Sequence, residues 1–157
     1  MKIIFLDIDG VCNSEQWYCS DEYYLNLSKD PDLDPHVIER LNQFTNDTGV
    51  KLVISSSWKI DDYCLERLTW AGLNNVVDKT PNLIFSVPYD EFCKGIEIKT
   101  YLNAHPEVEK YLILDDELDS VLEEQKPNLL LIDYKTGISE EDIKYCNYWF
   151  KQWKNIF

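Results

Sequence analysis

Lys2-Ile3-Ile4-Phe5-Leu6-Asp7-Ile8-Asp9-Gly10-Val11 is the stretch that decides the fold. The run Lys2 to Leu6 is apolar on both faces, the pattern of a parallel strand covered by helices on each side. It ends abruptly in two carboxylates and a glycine. Further along, Lys51 to Ile54, Tyr111 to Leu114 and Leu129 to Ile132 are equally short and equally apolar. Between these strands lie helical patterns. Val37, Ile38, Leu41 and Phe44 follow an Asp34-Pro35 start signal. Asp61 and Asp62 suit the first turn of a second helix, with Leu65 and Leu68 inward and Gly72 at its end. Ile98, Tyr101 and Leu102 mark a third, stopped by His105-Pro106. Leu118, Val121 and Leu122 suggest a short fourth. Ser139 and Asp142 form a capping box for a last helix carrying Ile143, Cys146, Phe150 and Trp153. Strand and helix alternate throughout, which predicts a Rossmann-like α/β domain with a mainly parallel sheet, right-handed crossovers and no large cap.

The 157 residues fit one domain spanning 1–157, with 45% hydrophobic and 13% aromatic residues excluding a disordered chain. No apolar run is long enough to cross a bilayer, and the early Asp7 argues against a secretory signal. Five cysteines, an odd number without C-x-x-C spacing, fit reduced thiols in the cytoplasm. The two histidines are too few for a histidine-based zinc site. A net charge of −14 disfavours polyanions over most of the surface, so nucleic acid is an unlikely partner though a local basic pocket is compatible with one. One segment breaks the rhythm: residues 12–34 form a long insert with Trp17, Tyr18, Tyr23 and Tyr24 among acidic residues. It reads equally as a flap over a site or as an aromatic plug.

Ligands of open α/β sheets bind beyond the carboxyl ends of the strands. The first strand delivers Asp7 and Asp9 there, the second Ser55-Ser56-Ser57-Trp58, and a later one Asp115 and Asp116. Lys94 stands just ahead of the third helix. Four carboxylates in one crevice repel each other unless a hard cation joins them, and oxygen donors favour magnesium over zinc. A hydroxyl and an ammonium at the same edge suit phosphate oxygens, which completes the parts needed for phosphoryl transfer. Each piece has a plainer use alone. D-x-D-G occurs in turns, the serines can cap a helix, Lys94 can be a surface lysine, and Asp115-Asp116 can open a helix. Trp58 reads as packing under the site, and Cys12 as a small buried hydrophobe.

In this order the pieces resemble the four motifs of the haloacid dehalogenase-like (HAD) superfamily, over nearly the whole chain. Val53-Ile54-Ser55-Ser56-Ser57-Trp58, Ile113-Leu114-Asp115-Asp116 and Thr136-Gly137-Ile138 with Glu141-Asp142 are similar to small HAD domains associated with bacterial RNA-repair proteins. The chain departs from that group in having Lys59 after the tryptophan and Lys94 in the third motif, where arginine is common. The resemblance implies a phosphatase in which Asp7 is the nucleophile and Asp9 the general acid and base. It also implies magnesium held by Asp7, the backbone carbonyl of Asp9, Asp116 and, directly or through water, Asp115. Ser55 or Ser56 and Lys94 would bind the phosphoryl group. The expected substrate is a small phosphorylated metabolite or nucleotide, ahead of a polynucleotide end. The other reading weighed is a receiver-type phospho-acceptor domain, whose acidic pair comes first and acceptor aspartate later, the reverse of the order here.

Overall fold

The computed structural model describes residues 1–152. Trp153, expected on the last apolar stripe, lies outside them. Five strands form one parallel sheet in the order β3-β2-β1-β4-β5, with β1 (Lys2–Leu6) at its centre. Its neighbours are β2 (Lys51–Ile54) and β4 (Lys110–Asp115), and β3 (Val76–Lys79) and β5 (Leu129–Leu131) are the edges. β3 is absent from the sequence-based strand set. It is a half-exposed edge strand and lacks the doubly apolar run that betrays the interior strands.

Pleating sorts the side chains onto two faces. Ile4, Leu6, Leu52, Ile54, Leu112 and Leu114 pack with Val37, Leu41 and Phe44 of α3 (Pro35–Thr48), Leu68 of α4 (Cys64–Trp70) and Cys146 of α6 (Glu140–Lys151). Ile3, Phe5, Val53 and Ile113 pack on the other face with Ile98 and Tyr101 of α5 (Lys94–Ala104). Each fully buried Leu, Ile or Phe contributes roughly 1.5–3 kcal/mol relative to exposure, so this central strand anchors both layers.

Local chemistry sets the helix ends. The Asp34 side chain accepts the His36 N–H, Pro35 opens α3, and Gly49 closes it in a left-handed conformation at φ +72°. The expected capping box is present, with Ser139 and Asp142 each bonding the other's backbone N–H. Two expected helices differ. Asp61 and Asp62 lie ahead of α4, because the Ser56 hydroxyl caps a 3₁₀ turn (Ser57–Ile60) and the helix starts only at Cys64. Around Leu118, Val121 and Leu122 the chain forms two 3₁₀ turns, Leu118–Ser120 and Glu123–Asn128. There the Leu122 N–H is taken by the Gln125 side chain and Pro127 offers no donor.

The insert between β1 and α3 carries two four-residue helices, α1 (Glu15–Tyr18) and α2 (Asp21–Tyr24), capped by Ser14 and Ser20. No helix among the described residues is long and apolar enough to cross a membrane. All five thiols are free.

Candidate active site

Parallel register builds the site. Leu6 pairs with Ile54 on one side and Leu114 on the other, so the next residues, Ser55, Asp7 and Asp115, stand level across three strand ends. The Ser55 N–H donates to the Leu6 carbonyl at 2.9 Å, and the Asp7 N–H to the Leu114 carbonyl at 3.0 Å. By alternation all three share the face of Phe5, Val53 and Ile113, which α5 covers. β1 is also where the chain order reverses, with β2 and β3 to one side and β4 and β5 to the other. A crevice opens at such a point.

Lys94, expected just ahead of the third helix, is the first residue of α5. Its ammonium lies 2.8 Å from Asp7 Oδ2 and 2.9 Å from Asp115 Oδ2. The helix start is seated firmly. Gln125 Nε2 donates to the Gly95 carbonyl at 2.9 Å, and a Cβ at Gly95 would collide with the Leu122 backbone. Asp115 Oδ1 accepts the Glu117 N–H at 2.9 Å. Asp116 leans over Gly10, whose φ of +76° and missing Cβ admit the Asp116 carboxylate. The glycine of D-x-D-G is thus required twice over. Carboxylate oxygens of Asp7, Asp115 and Asp116 all lie within 4.8 Å of one another.

Burial pushes the Asp7 carboxyl up to about 6; Lys94 opposes the shift and Asp115 adds to it. Burial and then Asp115 raise Asp116 as well. Burial would lower the Lys94 ammonium, but Asp7 and Asp115 outweigh it and hold the group charged. The Cys12 thiol is pushed far up, by burial and then by Asp7, so it stays protonated and inert, in keeping with a buried hydrophobe.

The serines divide cleanly. Ser55 is 2% exposed and its hydroxyl has no hydrogen-bond partner among the described residues. The Ser56 hydroxyl caps the 3₁₀ turn by accepting the Trp58 N–H at 3.3 Å. Ser57 lines the cleft, which has a volume of about 520 Å³ and also meets Asp7, Asp9, Lys94, Asp116, Tyr18 and Tyr134.

Asp9 sits apart from the three clustered carboxylates. It is exposed on the rim, and each of its oxygens accepts a neutral N–H: Oδ1 from Asn13 Nδ2 at 3.1 Å, Oδ2 from Trp58 Nε1 at 3.2 Å. Trp58 packs against the core, as read from sequence, and in addition its indole N–H reaches Asp9. Lys59 points inward instead of toward the cleft. It is buried and paired with Glu97, and it donates to Thr80 Oγ1 at 3.2 Å. Sequence reasoning missed Asn13, Arg67 and Glu97. Asn13, four residues past Asp9 in a motif loop, carried a local signal; the other two had none.

The insert is tied down at several points. Trp17 is 2% exposed and donates to the Pro31 carbonyl at 2.9 Å, with Tyr23 edge-on to it. Tyr18 faces the cleft. The segment thus combines an aromatic plug at Trp17 with a cleft wall at Tyr18.

A parallel α/β sheet with an acidic cluster and a lysine at its switch point, the D-x-D-G first and the adjacent acids late, fits a HAD domain. The family model for the HAD domain in Swiss Army Knife RNA repair proteins matches residues 3–143, and the chain belongs to that family. No curated protein and no solved structure matches it.

Proposed function

We propose that the chain is a magnesium-dependent phosphomonoester hydrolase that works through an aspartyl-phosphate on Asp7. The observation that carries this reading is the buried Ser55 hydroxyl, without a partner among the described residues, level with the buried Asp7 carboxylate, and Lys94 shared between Asp7 and Asp115. A buried orphan hydroxyl costs free energy, and a phosphoryl oxygen would satisfy it. Ser56 is already committed to its cap, which favours Ser55 for that task.

The donor set fits magnesium. Asp7, Asp115 and Asp116 offer only oxygens, close together and too negative to coexist comfortably at neutral pH. Asp7, Asp116 and the Asp9 carbonyl would hold the ion, with Asp115 direct or through water. Bound there, magnesium would offset charge on the transferring phosphoryl group.

Asp7 attacks phosphorus, the bond to the leaving oxygen breaks, and Asp9 gives that oxygen a proton. Asp9 then takes a proton from water as the water oxygen attacks phosphorus. The acyl-phosphate bond breaks, and Asp7 is restored as inorganic phosphate leaves. Lys94 has three N–H donors, two of which face Asp7 and Asp115, so the third serves a phosphoryl oxygen.

A small phosphomonoester, nucleotides included, fits best. Glu15 and Glu117 line the same cleft, and with the net charge of −14 they oppose a long polyanion. The family's description, which names RNA repair proteins, supports a polynucleotide end as the second substrate class to try. Free thiols suit a cytoplasmic setting. The test is inorganic phosphate release from phosphorylated metabolites and from 5′- and 3′-phosphorylated oligonucleotides, with magnesium and with chelator. Steady release that stops with chelator is expected; robust turnover in chelator would contradict the proposal.

A further inference from the structure

Asp9 needs explaining. An exposed aspartate on a loop ordinarily samples several side-chain orientations, because its terminal torsion is soft. A proton donor that wanders by an ångström loses much of its catalytic advantage. Here the carboxylate is held from both ends, by Trp58 Nε1 at 3.2 Å and Asn13 Nδ2 at 3.1 Å.

Those two donors are themselves held: both connect to Arg67, Trp58 directly and Asn13 through Asp32, and Asn13 Oδ1 also accepts the Gly10 N–H at 2.8 Å. The Arg67 guanidinium lies over the Trp58 ring, 4.1 Å from its centroid. Arg67 grips Asp30 with two parallel bonds, Nε to Oδ2 at 2.6 Å and Nη2 to Oδ1 at 2.9 Å, and reaches Asp32 Oδ2 at 2.8 Å. The Asp32 carbonyl in turn accepts the second N–H of Asn13 at 2.8 Å. The contacts close a ring: Asp9, Trp58, Arg67, Asp30 and Asp32, Asn13, and back to Asp9. Arg67 comes from α4 and the two aspartates from the far leg of the insert. Asp30 is buried while the Arg67 side chain keeps 36% of its surface exposed, so the carboxylate end of the fork is out of water and its two parallel bonds fix the geometry.

We propose that Trp58, Arg67 and Asn13 are positioning residues that hold the Asp9 carboxylate for proton transfer and lock its placement to the 12–34 insert. The proposal rests on the reading of Asp9 as general acid and deepens it. The 30–34 leg of the insert is on this account a fixed strut, not a moving lid.

The experiment compares a substrate whose leaving group needs a proton, glycerol 2-phosphate, with one that hardly does, 4-nitrophenyl phosphate. Trp58→Phe keeps a ring beneath Arg67 and removes only the N–H. Its kcat/KM, which ends at departure of the leaving group and so leaves out the later attack of water, should fall roughly tenfold or more on the alkyl ester and less than about threefold on the aryl ester. Arg67→Met should show the same leaving-group bias. The double variant should be little worse than the more damaged single one, because both act through the same carboxylate. Arg67→Met alone should also speed chymotryptic cleavage at Tyr23 and Tyr24, a readout independent of turnover, and thermal melts confirm folding. Equal losses of kcat/KM on both esters, additive losses in the double variant, or unchanged proteolysis would overturn the proposal. A wild-type protein that hydrolyses neither ester would instead remove the phosphatase reading, and this inference with it.

Discussion

Asp7 and Asp9 stand two residues apart and live in opposite surroundings. Asp7 is on the cleft floor, 5% exposed, with a lysine and a second carboxylate beside it. Asp9 is on the rim, exposed, and bonded to two neutral N–H groups among the described residues. The end of the strand explains the split: alternation would put residues two apart on one face, but Asp7 continues the inward face of Phe5 while Asp9 lies past the strand in a turn. The floor controls a charge through burial and counter-charge; the rim controls a direction through hydrogen bonds. A nucleophile needs the first and a proton donor needs the second.

The comparison breaks most readily at Asp7. Asp7→Asn should lower kcat by at least about 10⁴-fold, as removing a covalent nucleophile does elsewhere, with the melting curve still cooperative. Activity within tenfold of wild type, checked by mass for deamidation, would dissolve the distinction between floor and rim.

Lys59 sharpens it next. Lys94 and Lys59 both meet carboxylates near α5, but only Lys94 opens to the cleft; Lys59 is sealed against Glu97. Lys59→Met leaves Glu97 buried and unpaired, which should cost about 3–5 kcal/mol. Adding Glu97→Leu should restore most of that loss in urea denaturation. A Lys59→Met protein of normal stability but raised KM would mean that Lys59 meets substrate after all.

A smaller effect is a pH dependence. The folded Asp7 titrates near 6 against an ordinary 3.8. Between those values the folded state binds more protons than the unfolded one, so stability falls as pH rises. Asp7's contribution is fully present below the ordinary carboxylate range and lost as pH passes about 6. In metal-free protein, the stability of wild type relative to Asp7→Asn should fall by up to about 3 kcal/mol across that window. Magnesium competes with the proton, so its stabilising effect on the melting temperature should grow as pH rises through the same range. A flat difference, or a magnesium effect that shrinks, would contradict the buried floor.

The same contrast governs what could be read from the sequence. β1 and β2 were legible to the residue, because strands buried on both faces leave unbroken apolar runs ended by polar residues. Asp7, Ser55 and Asp115 stood out as candidates because each ends or follows such a strand, and parallel register brings those ends together; Lys94, at the start of a helix, stood out only by its place in the order of motifs. β3 was not legible, since Val76-Val77-Asp78-Lys79 has only two apolar residues, unlike the other edge, β5, whose leucine run is plain. Arg67 was not, since its partners Asp30 and Asp32 lie 37 and 35 residues away in a segment with no periodic signal. The floor residues and Asp9 itself are written into local patterns, whereas the Arg67 brace behind the rim depends on how distant segments meet.

The central claim is that phosphorus is bonded to Asp7 during each cycle. It is tested most directly by quenching the protein during turnover of 4-nitrophenyl phosphate with magnesium, reducing with borohydride, and sequencing the tryptic peptide Ile3–Lys29 by mass spectrometry. An acyl phosphate is reduced at its carboxyl carbon, so the account predicts homoserine at position 7, dependent on substrate and magnesium, with Asp9 unmodified. Steady phosphate release with an unmodified Asp7 in both wild type and Asp9→Asn, across quench times shorter than one turnover, would contradict it.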